Sequence, residues 1–220
     1  MKKPASSWRM WIPLLLGLLT LALAVHCSIA NDTAGIDRYL SGKYNSSFSF
    51  ISLYSQEWLP DTHCYAYEDI AGNRFLVQVT TDTLTDNYQS ILFDGAAGDY
   101  LTGEFPFYCK AFVSTASHYS AESNRHTKLD SYLQSCSVTE LFVCTTDLTL
   151  DEAYVEEILS SIAKENAIDL SVAFYIVTSH EYEKINGYGH TVAPGNIVLH
   201  AQLTIGSDGV IRSRRWECQD

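Results

Sequence analysis

The first thirty residues constrain this chain most. Lys2, Lys3 and Arg9 precede an apolar run from Trp11 to Val25, and no acidic side chain occurs before Asp32. A basic head followed by an apolar stretch is the pattern of an export signal. Residues 1–30 therefore read as a signal peptide or membrane anchor, whose membrane segment includes Trp11, Leu15, Leu19 and Leu23. Positive charge is retained in the cytoplasm, which sends residues 31–220 to the extracytoplasmic side.

Length leaves the fate of this segment open. The core run of about 15 residues covers about 22 Å as a helix, short of the roughly 30 Å of hydrocarbon. Extension to Met10–Ala30 gives about 31 Å, enough to span. It places His26 near the interface, where an ionisable group costs less. Ala22-Leu-Ala24 and Ser28-Ile-Ala30 both fit a small-x-small cleavage site. An uncleaved anchor puts the protein in the cell membrane, and cleavage makes it secreted. Lipidation at Cys27 is disfavoured, because His26 stands where a small residue should precede the acylated cysteine. A buried helix of a soluble protein fits neither the flanking charges nor the extreme N-terminal position.

Charge narrows the partners. Lys+Arg total 14 against Asp+Glu 26, a net charge of −12. The part beyond residue 30 is more acidic still, because it lacks Lys2, Lys3 and Arg9. Nucleic acid is excluded as a general partner, since phosphate contacts need a basic face. The partners expected are the membrane, through the N-terminal helix, and envelope proteins. Hydrophobic residues at 46% and charged residues at 18% indicate a globular body.

Periodicity gives an α+β fold, with helices packed on an antiparallel sheet and one N-terminal transmembrane or signal helix. Ile36, Tyr39, Leu40 and Tyr44 share helical spacing over 33–44, capped by Asp32 or Thr33. Strands are expected over 46–54, 63–67 and 74–81, with a loop around Trp58. A short helix over 85–93 is weakened by Gly95 and Gly98. A strand over 107–114, a polar loop over 117–126, a helix over 127–133 and a strand over 138–145 follow. Thr149-Leu-Asp-Glu152 is a capping-box pattern opening a helix over 150–166. An apolar strand over 168–177 comes next. Residues 196–205 alternate, with Ile197, Leu199, Ala201, Leu203 and Ile205 on the core side. A turn at Gly206-Ser-Asp-Gly209 leads into a final strand ending at 212–216. Ile36-Asp-Arg-Tyr-Leu40 and Leu129-Asp-Ser-Tyr-Leu133 are alike by coincidence or by duplication, so residues 31–220 read as one extracytoplasmic α+β domain or as two small α+β units joined near 115–126.

Five of the six cysteines follow the leader: Cys64, Cys109, Cys136, Cys144 and Cys218. An oxidising compartment permits disulfides. Cys136 and Cys144 flank a strand, and that separation exceeds disulfide reach. Cys64 with Cys109 is the first candidate pair and Cys136 with Cys218 the second; reduced core thiols are an equal alternative.

Certain runs resemble exported or membrane-anchored proteins of Gram-positive bacteria, a group without a characterised activity. They are Tyr39-Leu-x-x-Lys-Tyr44 with Phe48, Asp86-Asn-Tyr88, Glu140-Leu-Phe-Val143, the capped helix, and Ser171–Val177 leading into His180-Glu-Tyr-Glu-Lys184. The resemblance covers most of 36–185. It implies a location and an architecture and carries over no catalytic residue.

Chemistry-bearing motifs are sparse. His63, His118, His126, His180, His190 and His200 lack metal-ligand spacing. A Cys/His nucleophile pair such as Cys64 with His200 lacks an electropositive setting. No nucleophile elbow, phosphate loop or calcium loop is present. The acids at 82–87 and 147–152 suit helix N-termini. Asn31-Asp-Thr33 and Asn45-Ser-Ser47 fit the glycosylation sequon, which matters only in a eukaryotic secretory pathway. Two tyrosine-containing loops, His118-Tyr119 and Tyr182–Tyr188, suit adaptable polar contacts. The function expected is a membrane-anchored extracytoplasmic binding or interaction protein, without catalysis and without a cofactor. The alternative is an exported envelope hydrolase. The two part on whether His63, His190, His200, Cys64 and neighbouring acids converge in a cleft.

Overall fold

The structure, a computed structural model, describes residues 8–54 and 62–218. The loop around Trp58 lies outside the described residues. The chain divides into two compact units between Leu84 and Thr85. The division precedes the 115–126 segment, which is instead a loop within the second unit.

In the first unit, α1 (Trp8–Tyr44) is one continuous helix. A separate helix starting at Asp32 or Thr33 is therefore corrected. Neither residue caps: Thr33 Oγ1 donates to the Ala30 carbonyl at 3.1 Å, and the Tyr65 hydroxyl donates to the Asp32 carboxylate. Leu15, Leu19 and Leu23 are more than half exposed, and the side chain of Trp11 lies outside the described residues. Among the described residues, no helix is long and apolar enough to cross a membrane. Further along α1, Ile36, Leu40 and Tyr44 repeat every four residues and are buried.

Antiparallel strands β1 (Phe48–Leu53), β2 (Thr62–Asp69) and β3 (Arg74–Thr80) form the sheet of this unit, in the order β1-β2-β3-β4. The short β4 (Leu84–Asp86) lies at the division between the units. Asp69 builds the β2–β3 turn, its carboxylate accepting from the amides of Ala71 and Asn73. Gly72 supplies the positive φ of 87° that the turn requires.

The second unit holds a five-stranded sheet, in the order β5-β6-β7-β8-β9. Its strands are β5 (Lys110–Ser114), β6 (Thr139–Thr145), β7 (Leu170–Val177), β8 (Ile197–Ile205) and β9 (Ile211–Cys218). The α+β class stands, but the sheet is mixed: β6 and β7 are parallel, joined through α4 (Glu152–Asn166). A parallel pair needs such a crossover, and both of these strands are largely buried. On one face, Leu141, Val143, Val172, Phe174, Ala201 and Leu203 pack against Leu101 of α2 (Tyr88–Glu104) and Leu159 of α4. β8 alternates as expected, with Ala201, Leu203 and Ile205 buried and Gln202 and Thr204 exposed.

Two helix boundaries move. α2 runs through Gly95 and Gly98 to Glu104. A Cβ on Gly98 would stand 3.0 Å from the Ala111 carbonyl oxygen, so glycine here permits close packing on β5. α4 is capped by Asp151, whose Oδ1 accepts from the Tyr154 amide at 2.8 Å. Thr149, the expected cap, is engaged by Asp147 at its amide and hydroxyl. α3 (Leu129–Ser135) and α5 (Ser179–Lys184) complete the unit.

Candidate functional site: the Tyr188 loop and its two cavities

The second face of the five-stranded sheet is only partly covered. Phe142, Cys144 and Val177 meet Tyr182 and Ile185, at the end of α5, and Val192 beyond it. The loop after α5 is therefore laid across the sheet by apolar contacts. Two polar clamps fix it. The Lys110 ammonium donates to the carbonyls of Tyr182 (2.7 Å) and Ile185 (2.9 Å), satisfying groups at the helix C-terminus. It also lies 4.5 Å from the centre of the Tyr182 ring.

The buried Glu181 carboxylate is the second clamp. It is hydrogen-bonded to His190 Nε2 (3.0 Å), accepts from Asn196 Nδ2 (2.7 Å), and has Lys184 Nζ at 3.7 Å. The hydrogen bond to His190 leads the effects that hold its carboxyl below the usual carboxylate range. Glu181 thus ties the middle and the far end of the 185–196 loop to α5.

Between the clamps Tyr188 reaches across the face. Its hydroxyl donates to Glu140 Oε2 at 2.6 Å, and its ring is about half exposed. Burial and the Glu140 carboxylate push the phenol up, so it stays a donor at any physiological pH. A cavity of about 390 Å³ lies on each side of it. One is lined by Ser171, Gln202, Thr204, Ser213, Arg214 and Arg215 with Tyr188, which offer hydroxyl, amide and guanidinium groups. The other is lined by Asp94, Asp99, Asn186 and Tyr188 over the β5 backbone.

Asp94 is the perturbed acid of this region. Its carboxylate accepts from Thr115 at both the amide (3.2 Å) and the hydroxyl (2.6 Å), and the same hydroxyl meets that of Tyr132. Desolvation outweighs these bonds and, with Glu140 nearby, pushes the carboxyl up to about 6. Asp94 is not legible as a site residue in the sequence, because nothing local distinguishes it from the other acids. Tyr188 does fall in the tyrosine-containing loop singled out from sequence.

The other sequence candidates do not converge. His190 serves the Glu181 clamp. His200 lies flat on Tyr175, ring centres 4.4 Å apart, with Nδ1 3.7 Å from Glu217 Oε2. Tyr175 in turn stacks on Phe142, extending an aromatic row across the strands. His63 and Cys64 belong to β2 in the first unit. Neither His190 nor His200 lines either cavity. Among the described residues, no group of three His, Cys, Asp or Glu side chains could hold a metal ion.

All six cysteines are free thiols, so neither Cys64–Cys109 nor Cys136–Cys218 is bonded in the structure. Cys136 instead donates to the Tyr132 carbonyl from a buried position. Burial pushes the thiols of Cys109 and Cys136 up to about 12 and that of Cys144 to about 11, which makes them poor nucleophiles. Cys218 is exposed at the end of β9. No family model, curated protein or solved structure matches the chain.

Proposed function

We propose that the protein is a non-catalytic extracytoplasmic binding module held at the membrane by its N-terminal helix, with the surface around Tyr188 facing its ligand. One observation carries the binding reading. A half-exposed tyrosine, on a loop held by two clamps and hydrogen-bonded to Glu140, stands between two open cavities lined by directional hydrogen-bonding groups. A rigid amphipathic ring among such groups recognises polar partners at low entropic cost. The basic head, the apolar run and the exposed Leu15, Leu19 and Leu23 support the anchored location. The likeness to exported Gram-positive proteins agrees with it. Envelope proteins are the expected partners.

Two experiments test this reading. Protease added to intact cells should digest residues beyond the leader, and full protection of 31–220 would overturn export. Tagged full chain captured from detergent-solubilised membranes should recover a partner, and Tyr188→Ala should lower that recovery about tenfold, in line with truncation of an aromatic hot spot. Equal recovery would remove Tyr188 from the binding surface.

A second reading, an exported envelope hydrolase, is favoured by Asp94. A cavity carboxyl held near 6 keeps a share of its proton at neutral pH, as a general acid requires. Release of soluble fragments from purified envelope material, abolished by Asp94→Asn, would establish it over the non-catalytic reading.

A further inference from the structure

The strand that follows α1 exposes apolar side chains along most of its length. Phe50, Ile51, Leu53 and Tyr54 are 41, 39, 40 and 61% exposed. A bulge explains which way they point. The β1–β2 register shifts between Phe50 and Ser52, leaving Ile51 as the extra residue. Phe50 then pairs with Tyr67 and Leu53 with Tyr65. Cross-strand partners share a face. Tyr65 bonds Asp32 on α1, and Asp37 lies beside the Tyr67 hydroxyl. Phe50 and Leu53 therefore sit on the face that carries α1, flanking the helix.

The same contacts give their height along the helix. Phe48 meets Tyr44, ring centres 5.9 Å apart. Phe50 is level with Asp37 through Tyr67, and Leu53 with Asp32 through Tyr65. The strand runs back toward the apolar segment. Asp32 is about 3 Å beyond Ala30 on a helix and Asp37 about 10 Å. The headgroup layer is about 5 to 7 Å thick on each side of the hydrocarbon. We propose that Leu53 and Tyr54 rest in the headgroup layer of the bilayer that α1 enters, with Phe50 just outside it, so that the first unit docks on lipid as well as being tethered to it. The inference rests on the anchored reading, because it takes Ala30 as the exit point. Tyrosine with aliphatic neighbours is the composition that a lipid interface favours.

The test uses the full chain in phosphatidylcholine vesicles that contain a radiolabelled phosphatidylcholine. A photoreactive benzoylphenylalanine replaces Leu19, Tyr54 or Ile70 in separate variants. Ile70 is the control: it is apolar and 86% exposed, at the opposite end of the sheet beside the Asp69–Phe48 pair. Lipid should be captured at positions 19 and 54, at least tenfold more at 54 than at 70. Capture at 19 with no excess at 54 over 70 would overturn the docking and leave the anchor standing. No capture at 19 would overturn the anchor, and the docking with it.

Discussion

The five-stranded sheet ends in two edges protected by different means. Along β5, α2 lies against the backbone. Gly98 lets the helix approach, Thr102 Oγ1 accepts from the Ala111 amide at 3.2 Å, and Asp94 accepts from the Thr115 amide. Along β9 no further strand pairs among the described residues, and residues 212–215 are exposed. That edge carries arginine instead. Arg212 pairs with Asp208, Arg214 with Glu156 and Arg215 with Glu217. A roofed edge gains packing and must tolerate no extra atoms. A charged edge resists strand addition at little packing gain. Each edge borders one of the two cavities beside Tyr188: Asp94, Gly98 and β5 line one, and Ser213, Arg214 and Arg215 of β9 line the other.

Substitutions should separate the two strategies. The largest effect is expected at Gly98. Gly98→Val would push methyl groups onto the Ala111 carbonyl and cost about 3 kcal/mol in chemical denaturation. A neutral result would mean that α2 can lift from β5 freely. Next is Asp94, through pH. Its raised carboxyl favours the neutral form in the folded state. Its contribution to stability is therefore full below the ordinary carboxylate value and is lost as pH rises through about 6. On going from pH 7.5 to 4.5 the wild type should gain about 1 kcal/mol relative to Asp94→Asn, allowing for solvent screening of its exposed part. Parallel profiles of melting temperature against pH would contradict this. The smallest effect belongs to β9. Arg214→Ala should cost no more than about 0.5 kcal/mol, since the pair with Glu156 is largely solvent-facing on the arginine side. A larger loss would show that the charged edge is structural.

The edges also show what could be read from the chain alone. β8 was legible because its alternation is a property of one segment. The helical role of Gly98 was not, because its cause is a carbonyl oxygen on another element. In the absence of that neighbour, glycine reads as an interruption. The Asp151 cap was displaced from Thr149 by a local competitor, Asp147, which an S/T-x-x-E pattern does not weigh. The parallel β6–β7 pair is not legible although 168–177 reads as an apolar strand, since apolar character alone does not give direction. Of the candidate site, the tyrosine loop was visible in composition. The clamp by Lys110 and the shifted carboxyl of Asp94 were not, because both depend on contacts distant in sequence.

The unbroken course of α1 has a consequence for the life history of the protein. The α1 residues that bond to the first sheet or are buried beside it, Asp32, Ile36, Leu40 and Tyr44, lie past both small-x-small sites. Trimming at either one leaves those contacts whole. On the proposed anchored reading, processing would release the molecule from the membrane, while the shed form and the retained form keep the same architecture.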